Sequence, residues 1–267
     1  EQKITVAAPY FNSVVVPQLL LLVLLMGIAP SLPWRRAQPR HLLRRFRWPG
    51  ALALLAALLV LVLARPVSPL AAVAVGFAVL AAVGVVADVW RGGRSLALAE
   101  PQSLLLALPR NVWRARRHYG ALLAHFGVSV AAVGLAAAGL FRQEAMVTMA
   151  PGDSLNIGRH NVQLVGVGPA SGPNYDAQRG EFLLDGRVLL ASERRSYHAS
   201  GMPTSESGID STWLRDVYVV LGEARDGRYT ISAYVNPLVQ WIWAGAGLIG
   251  LGVLMCLGER QTARRAD

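Results

Sequence analysis

The chain has 267 residues, 54% of them hydrophobic, with a mean hydropathy of +0.39 and a formal net charge of +10. These values are high for a soluble domain and ordinary for a protein that keeps much of its surface in lipid. The charge does not point to nucleic acid, because the arginines gather in alternate connections between five apolar blocks, where they set membrane orientation.

Residues 1–12, EQKITVAAPYFN, have no basic segment followed by a short apolar core, and no initiator Met stands before them. The expectation is a processed chain or a segment of a longer one. A bilayer core of about 30 Å needs about 20 apolar helical residues, since any open backbone would leave polar groups unpaired in lipid. Spans are expected near 13–33, 49–65, 67–89, 119–141 and 238–258. Arg65-Pro66 leaves almost no loop between the second and third, which read as a hairpin turning at the membrane surface.

Three basic clusters fall on one side of these spans: Arg35, Arg36, Arg40, Arg44, Arg45 and Arg47; Arg91, Arg94, Arg110, Arg114, Arg116 and Arg117; and Arg260, Arg264 and Arg265. The positive-inside rule makes that side cytoplasmic and turns residues 142–237 outward. That outward segment holds 9 Arg against 11 Asp plus Glu and gives no contrary signal. Trp34, Trp48, Trp90, Trp241 and Trp243 stand at span ends, as amphipathic rings do at headgroup level. Residues 101–117, PQSLLLALPRNVWRARR, are too short and basic to cross and read as an interfacial segment that Pro109 breaks in two.

The outward segment is expected to be β. Runs at 160–167, 180–185, 187–192, 216–222 and 228–235 carry β-branched and aromatic residues in partial alternation. Asp185-Gly186 and Asp226-Gly227 between such runs suit tight hairpin turns, because Gly tolerates positive φ. The stretch 198–215 has no clear period and reads as an irregular loop. The expected fold is therefore an α-helical integral membrane protein of five spans with an inserted small antiparallel β domain, a sandwich or barrel, on the periplasmic side. Its divisions are a membrane region at 1–141, the β domain at 142–237, and a fifth span with a basic cytoplasmic tail at 238–267. Cys256, the one cysteine, forms no internal disulfide, zinc site or CxxC pair, so any thiol chemistry belongs to a partner.

Of the five histidines, His41 and His118 lie in basic connections, and His160 and His198 lie in the β segment without ligand spacing. His125 differs, about two turns inside the fourth span in GALLAHFGVSVAAVG. An imidazole facing lipid is costly, so it should face protein, a cofactor or a water-filled cavity. Ala121, Ser129, Ala132, Ala136 and Gly139 share its face at helical spacing, a stripe small enough for a neighbouring helix or a flat macrocycle to approach. Two readings stand here: a packing stripe with a histidine bonded across helices, or an axial ligand of a metal or haem. Trp241 and Trp243 fit either an aromatic belt or a stacking platform. Glu181, Asp185, Glu193, Glu206, Asp210 and Asp216 show no spacing for an acid–base pair, and Arg194 and Arg195 offer salt-bridge partners. No catalytic residue is assigned.

Several stretches, in order and over nearly the whole chain, resemble the C-terminal portion of the CcmF family of cytochrome c-type biogenesis proteins, haem lyase subunits of system I. They are APYFN (8–12), RRHYGALLAHFGVSVAAVG (116–134), GPNYDAQRGEF (172–182), ERRSY (193–197), PTSE (203–206), DVYVVLGE (216–223) and NPLVQWIWAGAGLIGLG (236–252). Ser192 stands where that family commonly has proline. The resemblance implies work at the last step of cytochrome c maturation in the bacterial inner membrane, where haem vinyl groups are joined to the thiols of an apocytochrome c CxxCH motif. It implies as partners an N-terminal CcmF half, a CcmE-type haem chaperone, a CcmH-type thiol protein and apocytochrome c. It also implies that His125 is one axial ligand to the iron of an embedded haem b. The family's tryptophan-rich haem-handling segment and its other haem histidines are not in this sequence, so activity without the N-terminal half is not expected. Two rival readings are a non-catalytic membrane scaffold of the assembly complex and a haem transporter. The latter has only His125 and Asp88 as intramembrane polar groups.

Overall fold

The computed structural model describes residues 8–28, 39–63, 69–99, 109, 112–199 and 202–257. Four long helices come first: α1 (Ala8–Ile28), α2 (Pro39–Leu63), α3 (Pro69–Ala99) and α4 (Arg116–Leu140). A run of strands follows, and α5 (Val239–Leu257) closes the described chain. The chain divides into two compact units, one of Glu1–Ala136 with Trp241–Asp267 and one of Ala137–Gln240.

Among the described residues, Leu42–Leu63, Pro69–Ser95, Arg116–Leu140 and Val239–Leu257 are long and apolar enough to cross a membrane. The apolar run of α1, Pro17–Ile28, is shorter than a span. The expected first span reached into 29–33, outside the described residues. The 65–66 turn, the 260–265 tail, Trp34 and most of 101–117 lie outside them as well. Two helices outrun their expected spans: α2 begins at Pro39 and continues through Pro49, and α3 carries on from Trp90 to Ala99. Basic residues are good helix formers, so an apolar boundary does not end a helix.

Lipid offers no hydrophobic drive between helices, so close packing of small residues must hold them. A Cβ on Gly27 of α1 would lie 3.1 Å from the Ala81 Cα of α3, and one on Gly76 of α3 would lie 3.3 Å from the Ala57 Cβ of α2. Asp88 of α3, its side chain 8% exposed, is bonded by Arg45 of α2 and by Arg91 one turn further on. The acid thus lies between two helices with cations on both sides.

The second unit is an antiparallel sandwich. One sheet has the order β1 (Gln143–Met149), β9 (Arg228–Pro237), β8 (Arg215–Arg225), β7 (Gly208–Ser211). The other has the order β2 (Ser154–Ile157), β3 (His160–Gly172), β4 (Tyr175–Leu184), β5 (Val188–Tyr197), β6 (Pro203–Glu206). Alternate residues point inward: Val217, Val219 and Leu221 from β8 and Ile231, Ala233 and Val235 from β9 meet Val162, Leu164, Phe182 and Leu184 from the other sheet. Asp185 and Gly186 have φ of +52° and +66°, and Asp226 and Gly227 have +53° and +77°, so both turns take the primed form whose twist matches the strands.

The stretch 198–215 is not the irregular loop its lack of period suggests, for it contains β6 and β7. Each is four residues long and held by ladder bonds to β5 or β8. Gly208 belongs there because a Cβ would lie 2.8 Å from the Ala191 carbonyl oxygen. Ser192, fully buried on β5, joins the sheets: its hydroxyl donates to the Glu206 carbonyl at 2.6 Å and accepts from the Leu221 amide of β8 at 2.9 Å.

Candidate functional site

The helix that carries His125 is fixed by glycine. On α4, Gly120 and Gly127 are seven residues apart, two turns, and so are Gly245 and Gly252 on α5. The helices run antiparallel, Gly120 meeting Gly252 and Gly127 meeting Gly245. A Cβ on any of the four would lie 2.5 or 2.6 Å from the facing carbonyl oxygen, so only glycine admits this approach. Another side of α4 packs through Tyr119 and Leu122 against Val85 of α3, with Phe126 and Met255 alongside.

At roughly 100° per residue, His125 lies about 140° round the helix from Gly120 and about 160° from Gly127. It therefore lies away from the glycine seam, about 60° round the helix from Leu122 on the α3 side, and its ring is half-buried. Nδ1 is 2.6 Å from the Ala121 carbonyl oxygen one turn back. A carbonyl has no proton to give, so Nδ1 carries the hydrogen, and in the neutral ring Nε2 keeps its lone pair. This is the arrangement by which ligating histidines are oriented, one nitrogen tied to a backbone carbonyl and the other offered to a metal. Ser129, buried, donates to the His125 carbonyl at 3.1 Å. Along the small-residue stripe Ser129 and Ala136 are buried, Ala132 is half-buried, and Ala121 and Gly139 are exposed. A Cβ on Gly139 would meet nothing within 4 Å.

The geometry fits one axial ligand for a flat macrocycle: a single neutral nitrogen donor beside side chains too small to obstruct a ring. Among the described residues no three His, Cys, Asp or Glu side chains converge as a metal site.

Most of the other candidates have ordinary partners. His160 Nδ1 is 2.8 Å from Asp185, which also accepts from the Asn161 amide. Those bonds, His160 first, hold the Asp185 carboxyl below its usual 3.8. His198 is 3.2 Å from Asp176, and His118 stacks edge-on against Tyr119. Of the acids weighed above, Glu193 pairs with Arg195 at 2.8 Å and with Arg179 at 3.5 Å, Glu206 pairs with Arg195 at 3.5 Å, and Asp210 pairs with Arg215. Asp216 is buried and accepts from Nε2 of the Gln240 side chain. Arg194 pairs with Glu223 at 3.0 Å.

Three separate sequence stretches, 172–182, 193–197 and 203–206, come together on the adjacent strands β4, β5 and β6. There Arg195 lies over the Tyr175 ring at 4.5 Å, Tyr175 meets Tyr197 edge-on at 5.5 Å, and Glu193 raises the Arg195 pKa above its ordinary value. A shallow depression of about 370 Å³ lies beside them, lined by Asp176, Gln178, Arg194, Ser196 and Pro203 among others. The glycine pairs carry no reactive group, and their signal in the sequence is one seven-residue spacing repeated in two apolar helices.

Residues 140–237 match a family model described as the CcmF C-terminal beta-sandwich. Over 98% of its length the chain is 33% identical to the cytochrome c-type biogenesis protein ccl1 of Rhodobacter capsulatus, covering 39% of that protein. Over 97% of its length it is 30% identical to CcmF of Pseudomonas aeruginosa, again covering 39%. The chain thus spans about two fifths of the length of the curated relatives it matches. A solved structure of the cytochrome c heme lyase CcmF superposes with a TM-score of 0.75 at 25% identity, over 95% of this chain and 41% of that one.

Proposed function

We propose that this chain, which matches the C-terminal portion of the cytochrome c-type biogenesis protein CcmF, forms part of a haem lyase that attaches haem to the CxxCH thiols of apocytochrome c. Its own share is to hold an embedded haem b through His125 and to present the β-sandwich on the periplasmic face of the bacterial inner membrane. The observation that carries this reading is the Nδ1 contact to the Ala121 carbonyl, which leaves Nε2 free as a donor on a face lined by small residues.

The haem would supply the redox chemistry that keeps the substrate haem iron reduced. The polypeptide orients the imidazole through the Ala121 carbonyl and fixes the helix that carries it by the glycine contacts with α5. The chain would cross five times, α1 being the first, and the positive-inside rule would put the basic connections inside. The other axial ligand and the haem-handling segment come from an N-terminal CcmF half, and the CcmE-type chaperone, the CcmH-type thiol protein and apocytochrome c complete the assembly.

Pyridine haemochrome spectra of the chain co-purified with an N-terminal CcmF partner test the assignment. His125→Ala should abolish the b-type signal while both polypeptides still co-purify. Full retention of the signal would refute it.

A further inference from the structure

We propose that the turn Thr212–Arg215, between β7 and β8, is a lipid anchor whose Trp213 and Leu214 side chains enter the headgroup–acyl boundary of the leaflet where α5 begins. The turn is rigid. The Thr212 amide and hydroxyl both donate to the Arg215 carbonyl, at 2.9 and 2.8 Å, and the Arg215 amide donates back to the Thr212 hydroxyl at 3.1 Å. The Arg215 guanidinium is held by the Asp210 carboxylate and by the Asp210 carbonyl at 3.2 Å. At the tip stand the two central residues, Trp213 at 69% and Leu214 at 72% exposed.

The turn is fastened where the chain becomes an apolar helix. The Leu238 amide donates to the Leu214 carbonyl at 3.0 Å, and Leu238 takes a φ of +55° immediately before α5 begins at Val239. The Gln240 side chain, in the first turn of that helix, donates through Nε2 to both oxygens of buried Asp216. Arg215 and Asp216 pair in register with Pro237 and Asn236. Two apolar side chains at the tip of a fixed turn are thus tied within one residue of a helix long and apolar enough to cross a membrane.

Adjacent on one tight turn, Trp213 and Leu214 form an exposed apolar pair at the point where the sandwich passes into α5. Indole and isobutyl groups are at home at headgroup depth, where amphipathic rings meet the acyl boundary. The occupant is therefore lipid, continuous with the lipid around α5. The proposal rests on α5 being a membrane span and not on the haem assignment.

The test uses the full chain with Cys256→Ala, reconstituted in nanodiscs of phosphatidylcholine and phosphatidylglycerol. A nitroxide is attached at one cysteine per variant: Trp213→Cys, Leu214→Cys, Arg225→Cys at the exposed β8–β9 turn, or Gly250→Cys in α5, where an added Cβ meets nothing within 4 Å. Collision with oxygen, which partitions into lipid, is compared with collision with a water-soluble nickel chelate. Labels at 213 and 214 should show an oxygen-to-nickel ratio several-fold above that at 225 and on the same side as 250. Ratios at both 213 and 214 equal to that at 225, with 250 in lipid, would overturn the anchor and mark the turn as a surface for a protein partner. A watery 250 would remove the span and the anchor with it.

Discussion

Gly120 and Gly252 face each other across α4 and α5 so closely that a Cβ on the first would lie 2.6 Å from the carbonyl oxygen of the second, and one on the second 2.5 Å from that of the first. Gly127 and Gly245 repeat the contact two turns along. The two pairs fix both the separation and the register of the helices, and with them the face on which His125 emerges.

Enlarging one of these glycines should therefore separate the helices. Gly127→Leu should lower stability by about 1–3 kcal/mol, the usual cost of overpacking, whereas Gly250→Leu, where the space is open, should change it little. Thermal unfolding in detergent, followed by circular dichroism at helical wavelengths, compares the two.

Asp88 sits between Arg45 and Arg91 with little exposure of its own, while the arginines are about one-third and one-half exposed. Asp88→Leu leaves cations that water reaches only in part, and the Arg45 Nε has no partner already. The expected loss is about 1–3 kcal/mol, above the value of an exposed pair and below that of a wholly buried one. Arg45→Leu together with Asp88→Leu should recover part of that loss, as a double-mutant cycle in the same unfolding assay would show.

Ser192→Ala removes the hydroxyl that serves the Glu206 carbonyl and the Leu221 amide at once. The buried Leu221 amide and the part-buried Glu206 carbonyl then lose a partner, which should cost about 1–3 kcal/mol. Hydrogen exchange at the Leu221 amide, measured by mass spectrometry on the intact chain, should rise, while exchange in α5 should not.

The carboxyl of Asp185 is held low, chiefly by His160 and then by the Asn161 amide. Its folded pKa lies below the unfolded 3.8, so the unfolded state binds the proton more readily. The stabilisation is complete above that unfolded value and is lost as pH falls through the folded one. Asp185→Asn keeps a residue that tolerates the left-handed turn but gives up the charge. Wild type should exceed this variant in melting temperature by a constant margin at neutral pH. That margin should shrink below about pH 4; a margin that grew on acidification would contradict the assignment.

Much of the architecture was legible because its causes are local in sequence. A long apolar run declares a membrane helix by itself, and Asp-Gly declares a tight turn because of what its two residues tolerate. Helix limits were less legible, since α2 and α3 continue through arginines and a proline that mark the edge of lipid and not the end of hydrogen bonding. The strands β6 and β7 were illegible for a different reason. PTSE buries none of its side chains, so no alternation marks it, and only the neighbouring strand makes it a strand. His125 stood out because an imidazole is costly in hydrocarbon. The bond from its Nδ1 depends on a rotamer, which no spacing reveals.

Antiparallel pairing of β1 with β9 sets Gln143 opposite Val235, so the sandwich receives and returns the chain at neighbouring points. To the two helices that flank it, the whole insertion amounts to a short tether, because a ladder already joins its ends and closure entropy grows only slowly with the residues between them. The sandwich can therefore grow, shrink or be exchanged as a cassette without straining the glycine contacts on which the histidine's aim depends.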